Sequence, residues 1–173
     1  GGAKFNKGAG LNAGFEALGR RGWVLVWDAD CLFAEGLRFE NLEHRKLYSC
    51  QRRVLKDASL WNPLYKHWES LPTWRHKCLF VGYFQLFHAS DPRLVGRKKW
   101  YEENHSHAGG ADHNFSKLWP MQDRIELPWE VLHLGPHDTN WYGRVSPRID
   151  GETMVVDEEA RAGMNSMIER RGW

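Results

Sequence analysis

Two carboxylates separated by one residue, Asp28-Ala29-Asp30, stand directly after the apolar run Trp23-Val24-Leu25-Val26-Trp27. Open α/β sheets bind ligands at the carboxyl ends of their strands. A hard divalent cation that must also hold a diphosphate takes one or two carboxylates and keeps positions open. The same residues also read as a plain polar exit from a strand. Upstream, Asn6-Lys7-Gly8-Ala9-Gly10-Leu11-Asn12 is a glycine-bearing loop that feeds a helix. Free N–H groups and the positive end of a helix dipole suit a phosphate there, and Lys7 adds a point charge. The plain alternative is a turn and a helix start.

Three further stretches carry polar side chains in suggestive patterns. His105-Ser106-His107-Ala108-Gly109-Gly110-Ala111-Asp112-His113 invites a zinc-hydrolase reading, but Asp112 lies five places after His107 where the binuclear pattern needs two. Its other reading is a Gly-Gly turn presenting Asp112 at a helix start, either as a general base toward an acceptor hydroxyl or as a helix cap. In Val131-Leu132-His133-Leu134-Gly135 the imidazole is either a satisfied core group or a further ligand for a cation on Asp30. In Asn140-Trp141-Tyr142-Gly143-Arg144, Arg144 suits a leaving phosphate and Trp141 a sugar or base, unless both simply pack in a loop. Gly8-x-Gly10-x-x-Ala13 has the spacing of a dinucleotide fingerprint, yet that fingerprint must follow a strand, and Gly1 to Asn6 is not strand-like.

The elements that position these groups follow from periodicity. Leu11, Phe15 and Leu18 predict a helix from about Leu11 to Arg20, ended by Gly22. The run Trp23–Trp27 predicts a buried strand in a parallel sheet. Leu47–Val54, Phe80–Phe87 and Glu130–Leu134 predict further strands, residues Leu55–Lys77 a short helix with loops, and Asp112–Leu118 a short helix stopped by Pro120. Residues Pro92–Gly110 predict a mobile polar loop. Its stretch Arg93–Tyr101 reads as a solvated loop more readily than as a face for an anionic acceptor. Val156–Arg171 predicts a helix, with Asp157, Glu158 and Glu159 in its first turn and Arg170 and Arg171 in its last. The whole is α/β material with a mixed sheet.

Composition limits the rest. The chain has 173 residues, 42% hydrophobic and 27% charged, which suits one globular domain. Ten Trp is a high count for cores and for sites that grip flat rings. A formal net charge of +2 gives no argument for nucleic acid. No apolar run approaches the roughly 20 residues of a membrane span. Cys31, Cys50 and Cys78 form no CxxC pair, which speaks against a disulfide framework and for a reducing cytoplasm.

Taken in order, the motifs resemble a glycosyltransferase of the GT-A fold, near family 2, over roughly Lys4 to Arg144. FNKGAGLNAGFEAL resembles the family's helix start beside the nucleotide, GWVLVWDAD its strand and DxD motif, HAGGADHNF its Gly-Gly-x-Asp segment, and VLHLG its later metal-completing His. The resemblance implies an α/β, GT-A-like mixed sheet flanked by helices, forming a single domain over 1–173 with a C-terminal extension at 145–173. It implies metal-dependent sugar transfer, inverting, from a UDP- or GDP-sugar to an acceptor hydroxyl, with Mn²⁺ or Mg²⁺ as cofactor. Asp30, Asp28 and His133 would hold the metal and Asp112 would be the base. Asn6, Lys7, Gly8, Asp28, Asp30, Trp141 and Arg144 would line the donor, and Gly109 and Gly110 the acceptor. The acceptor's class, whether saccharide, lipid-linked glycan, protein or modified nucleic acid, is left open.

Two departures accompany the resemblance. Ala111 stands where many relatives have Glu, and the family's N-terminal βαβ half, which holds the base, has no counterpart before Lys4. The sequence therefore predicts either an N-terminally truncated domain or a divergent remnant that binds sugar or nucleotide without turnover.

Overall fold

The computed structural model describes residues 6–33, 38–55, 71, 73–74, 80–104, 110–134, 148–150 and 153–155. The first helix, α1, is Lys7–Ala17 and starts four residues earlier than the apolar spacing predicts. Asn6 is the reason: its side-chain oxygen accepts from the Ala9 N–H at 2.9 Å and caps the first turn. The helix also ends before Gly22. Gly19 adopts φ +75°, the Arg20 N–H donates to the Phe15 carbonyl and the Gly19 N–H to the Glu16 carbonyl, which closes a Schellman turn.

Strand β1 is Trp23–Trp27, as expected, followed by β2 at Cys31–Phe33 and β3 at Leu47–Leu55. Strand β4 is Thr73–Trp74, β5 Phe84–His88 and β6 Arg124–Leu134. Helix α2 is Ala111–Ser116. A separate hairpin pairs β7, Arg148–Asp150, with β8, Thr153–Val155. The main sheet runs β1-β5-β3-β6-β2, with β4 paired on β3. It is mixed: β3 and β6 are parallel, while β1–β5, β3–β5 and β2–β6 are antiparallel.

The expectation of a parallel partner for β1 is corrected here, since Trp23 to Trp27 run antiparallel to His88 to Phe84. Its continuous apolar run reflects coverage of both faces rather than parallel pairing. Val24 and Val26 join a core with Phe15, Phe87, Trp100, Phe115 and Trp119, whereas Leu25 and Trp27 join one with Cys31, Tyr48, Phe84 and Val131.

Strand β6 is also longer than predicted. Its parallel register with β3 breaks between Ser49 and Gln51, which face Glu126 and Glu130. Leu127, Pro128 and Trp129 thus stand opposite the single residue Cys50. Pro128 cannot donate to a ladder, and the bulge places it where no ladder bond is required.

The stretch Arg93–Tyr101 is solvated only in its middle, residues 95–99, and is anchored at both ends. Leu94, Trp100 and Tyr101 are buried. The fully buried Asp91 carboxylate accepts from the Arg93 N–H, the Arg93 guanidinium and the Trp119 indole N–H. Arg93 also pairs with Asp123, which Lys46 meets at 2.9 Å. These buried bonds replace the water that a polar loop would otherwise keep. The short helix expected within Leu55–Lys77 and the helix expected at Val156–Arg171 lie outside the described residues. No helix among the described residues is long and apolar enough to cross a membrane.

Candidate functional site

The carboxyl end of β1 leads into a tight turn in which the Cys31 N–H donates to the Asp28 carbonyl at 3.1 Å. This turn sets Asp28 and Asp30 on two adjoining groups of side chains.

The first group centres on Lys7, in the opening turn of α1. Its Nζ meets Asp28 Oδ1 at 2.7 Å and Asp112 Oδ2 at 4.0 Å, and donates to the Gly82 carbonyl at 3.3 Å. Asp112 Oδ2 in turn accepts from the Gly82 N–H at 2.8 Å, and its Oδ1 from the His113 N–H at 2.7 Å. The approach is tight enough that a Cβ on Gly82 would lie 2.3 Å from Asp112 Oδ2 and 2.5 Å from Lys7 Nζ. Burial works against the Lys7 charge, but Asp28 and then Asp112 outweigh it and hold the ammonium above the ordinary lysine range. Burial raises the Asp28 carboxyl, with Lys7 opposing.

The second group lies across β2 and β6. Cys31 and His133 are direct partners in the antiparallel register, so their side chains share a face. His133 Nε2 is 3.6 Å from Asp30 Oδ2, and the Cys31 sulfur is 3.9 Å from Asp30 Oδ1. One ligand atom from each of Asp30, Cys31 and His133 lies within 4.8 Å of the others. The Leu134 N–H donates to the Asp30 carbonyl at 2.7 Å and fixes the turn against β6. Burial and the neighbouring Asp30 and Asp28 carboxylates push the Cys31 thiol far up.

The sequence expectations map onto this geometry unevenly. Lys7, Asp28 and Asp112 meet around one ammonium, and Asp30 faces His133. Asp28 is engaged by Lys7 and does not share the Asp30–His133 group; Cys31 takes the third place there instead. Asn6 is occupied by the fold: besides capping α1, its amide nitrogen donates to the Glu103 carbonyl at 2.7 Å. Gly8 is a packing position, because a Cβ there would stand 1.9 Å from the Glu102 carbonyl oxygen. Gly110 precedes α2 with φ 103°, a conformation that favours glycine, and its carbonyl accepts from the Asn114 N–H at 2.8 Å. Gly109, Trp141 and Arg144 lie outside the described residues.

Sequence reasoning missed Gly82 and Cys31. Gly82 interrupts the apolar stretch Phe80–Phe87, and an isolated glycine in a strand pattern signals a close backbone approach. Cys31 directly follows the Asp pair, but only the β2–β6 register reveals its partner. No protein-family model, curated protein or solved structure matches the chain.

Proposed function

We propose that the chain is a metal-dependent glycosyltransferase domain of GT-A type that moves a sugar from a UDP- or GDP-sugar to an acceptor hydroxyl with inversion. The observation that carries the reading is the meeting of Lys7, Asp28 and Asp112, beside Asp30 and His133, at the carboxyl end of one strand. These groups come from segments far apart in sequence, and a plain strand exit or helix cap requires no such gathering.

Asp30 and His133 are the residues that would hold the divalent cation, Mn²⁺ before Mg²⁺ because imidazole is a poor ligand for Mg²⁺. Their facing oxygen and nitrogen, 3.6 Å apart, suit a shared ion. When bound, such an ion supplies positive charge for a departing nucleoside diphosphate. Asp112 is oriented by the Gly82 N–H and keeps further lone pairs for an acceptor hydroxyl proton. Lys7 holds Asp28 against Asp112 and keeps two acids close together. The buried free thiols of Cys31 and Cys50 fit a reducing, cytoplasmic setting.

One observation favours a second reading. The Lys7 ammonium already neutralises Asp28 and approaches Asp112, as expected of a domain that binds sugar or nucleotide without turnover. Asp112→Asn separates the two. Under the enzymatic reading it lowers sugar transfer by about 10²–10⁴-fold and leaves donor binding, read by calorimetry, within a factor of about two. Detectable donor binding with no transfer by the unsubstituted chain to any acceptor class would support the binding reading.

A further inference from the structure

We propose that Cys31 is the third protein ligand of the metal site anchored by Asp30 and His133, and that its sulfur turns the site toward the borderline cations Zn²⁺ and Co²⁺ over Mg²⁺. The inference rests on reading Asp30 and His133 as metal ligands, and not on sugar transfer.

The backbone sets the arrangement. Asp30 and Cys31 are neighbours at the turn into β2, and the β2–β6 register places Cys31 opposite His133. Thiol and imidazole therefore share one face of a two-strand ladder, and the Asp30 carboxylate joins them from the turn that leads into it. Their ligand atoms lie within 4.8 Å of one another; His133 Nε2 is 3.6 Å from Asp30 Oδ2, and the Cys31 sulfur is 3.9 Å from the other oxygen, Oδ1. Tetrahedral zinc has bonds of about 2.0–2.3 Å to oxygen, nitrogen and sulfur. That geometry puts neighbouring ligand atoms roughly 3.3–3.8 Å apart, so contraction of the widest separation by about 1–1.5 Å completes the site.

The environment agrees with this assignment. Cys31 and His133 are buried, whereas the Asp30 side chain is 38% exposed. An ion would thus have two inner ligands and an entry side at the carboxylate. Three protein ligands leave a fourth position for water or an oxygen of a bound ligand, as open zinc sites do. Oxygen donors alone suit Mg²⁺, whereas one sulfur and one imidazole favour softer ions. On binding, the ion takes the place of the Cys31 thiol proton, which leaves to solvent as a Cys31 sulfur–metal bond forms.

The test is titration of the full chain with Co²⁺, read by absorption, together with Zn²⁺ and Mg²⁺ affinities by calorimetry. The proposal expects a near-ultraviolet sulfur-to-cobalt charge-transfer band that survives in Cys50→Ser and Cys78→Ser and disappears in Cys31→Ser. Losing a direct ligand should weaken Zn²⁺ binding at least as much as losing an outer-shell partner, which costs about 10–100-fold, and leave Mg²⁺ binding within about twofold. The band is read first on the unsubstituted chain, so the outcome does not depend on how well Cys31→Ser folds. Co²⁺ binding without the band, weakened by His133→Ala, would overturn the role of Cys31 and keep the Asp30–His133 anchor. Co²⁺ binding unaffected by both Asp30→Ala and His133→Ala would overturn the metal site altogether.

Discussion

Lys7 is the residue on which one half of the site depends. Its ammonium is the cation between Asp28 and Asp112, and its side chain is only 14% exposed. Lys7→Met should leave two carboxylates facing each other with no counter-charge, at a cost of about 1–3 kcal/mol at neutral pH, below the fully buried case because Asp28 keeps some contact with water. The pH dependence follows from the raised value of Lys7 in the fold. A base whose folded pKa exceeds its unfolded one contributes its full stabilisation below the unfolded value, about 10.4 for lysine. That contribution is lost as pH rises through the folded value. Urea unfolding should therefore show a loss of stability from about pH 10 upward that is shallower in Lys7→Met. An identical alkaline decline in both proteins would contradict the ion pair. The same cluster explains Gly82, where any side chain would collide with the pair that its backbone helps to hold.

At the scale of elements, the buried Asn12 amide ties α1 to the segment Trp100–Glu103. The Asn12 oxygen accepts from the N–H groups of Trp100 and Tyr101 at 3.0 and 3.1 Å, and its nitrogen donates to the Tyr101 carbonyl at 2.8 Å and to Glu103 at 2.9 Å. Asn12→Ala leaves those backbone groups buried without their partner and should cost about 2–4 kcal/mol, measured by chemical denaturation. A loss under about 0.5 kcal/mol, as for an ordinary surface change, would contradict this account.

Asn12 also shows where the sequence could be read and where it could not. The strand Trp23–Trp27 and its terminal Asp pair were legible because a β-branched and aromatic run carries its own signal. The start of α1 was not, because Gly8 and Gly10 weaken helix propensity, and the Asn6 cap with the bonds of Asn6 to Glu103 and of Lys7 to Asp28 compensates. The partner direction of β1 was illegible because coverage on both faces gives the same apolar run in either pairing. The anchoring of Leu94, Trp100 and Tyr101 is hidden in the sequence because the exposed lysines and arginines between them mask three apolar anchors, and the bonds of Trp100 and Tyr101 to Asn12 form only across the fold. Of the site, the acids and His133 could be named from spacing. The roles of Lys7, Gly82 and Cys31 depend on contacts between segments distant in sequence.

Across the whole molecule, a mixed sheet carries one aromatic core on each face, and the two groups of site residues adjoin at one strand end. Strand β1, which leads into both acids, pairs on one side with β5 and is the edge of the sheet among the described residues. The Lys7 group thus lies at one end of the strand order and the Asp30–Cys31–His133 group, on β2 and β6, at the other, joined by the Asp28–Cys31 turn. A nucleoside diphosphate held there should engage the Asp30–His133 group and depend on a cation. The most direct measurement is thermal stability of the purified chain with UDP, GDP and their sugar conjugates, each with and without Mn²⁺, beside Asp30→Ala. The melting temperature should rise only with nucleotide and cation together, and the rise should vanish in Asp30→Ala. A rise that is independent of the cation or retained in Asp30→Ala, or no rise with any nucleotide, would contradict the metal-dependent glycosyltransferase reading.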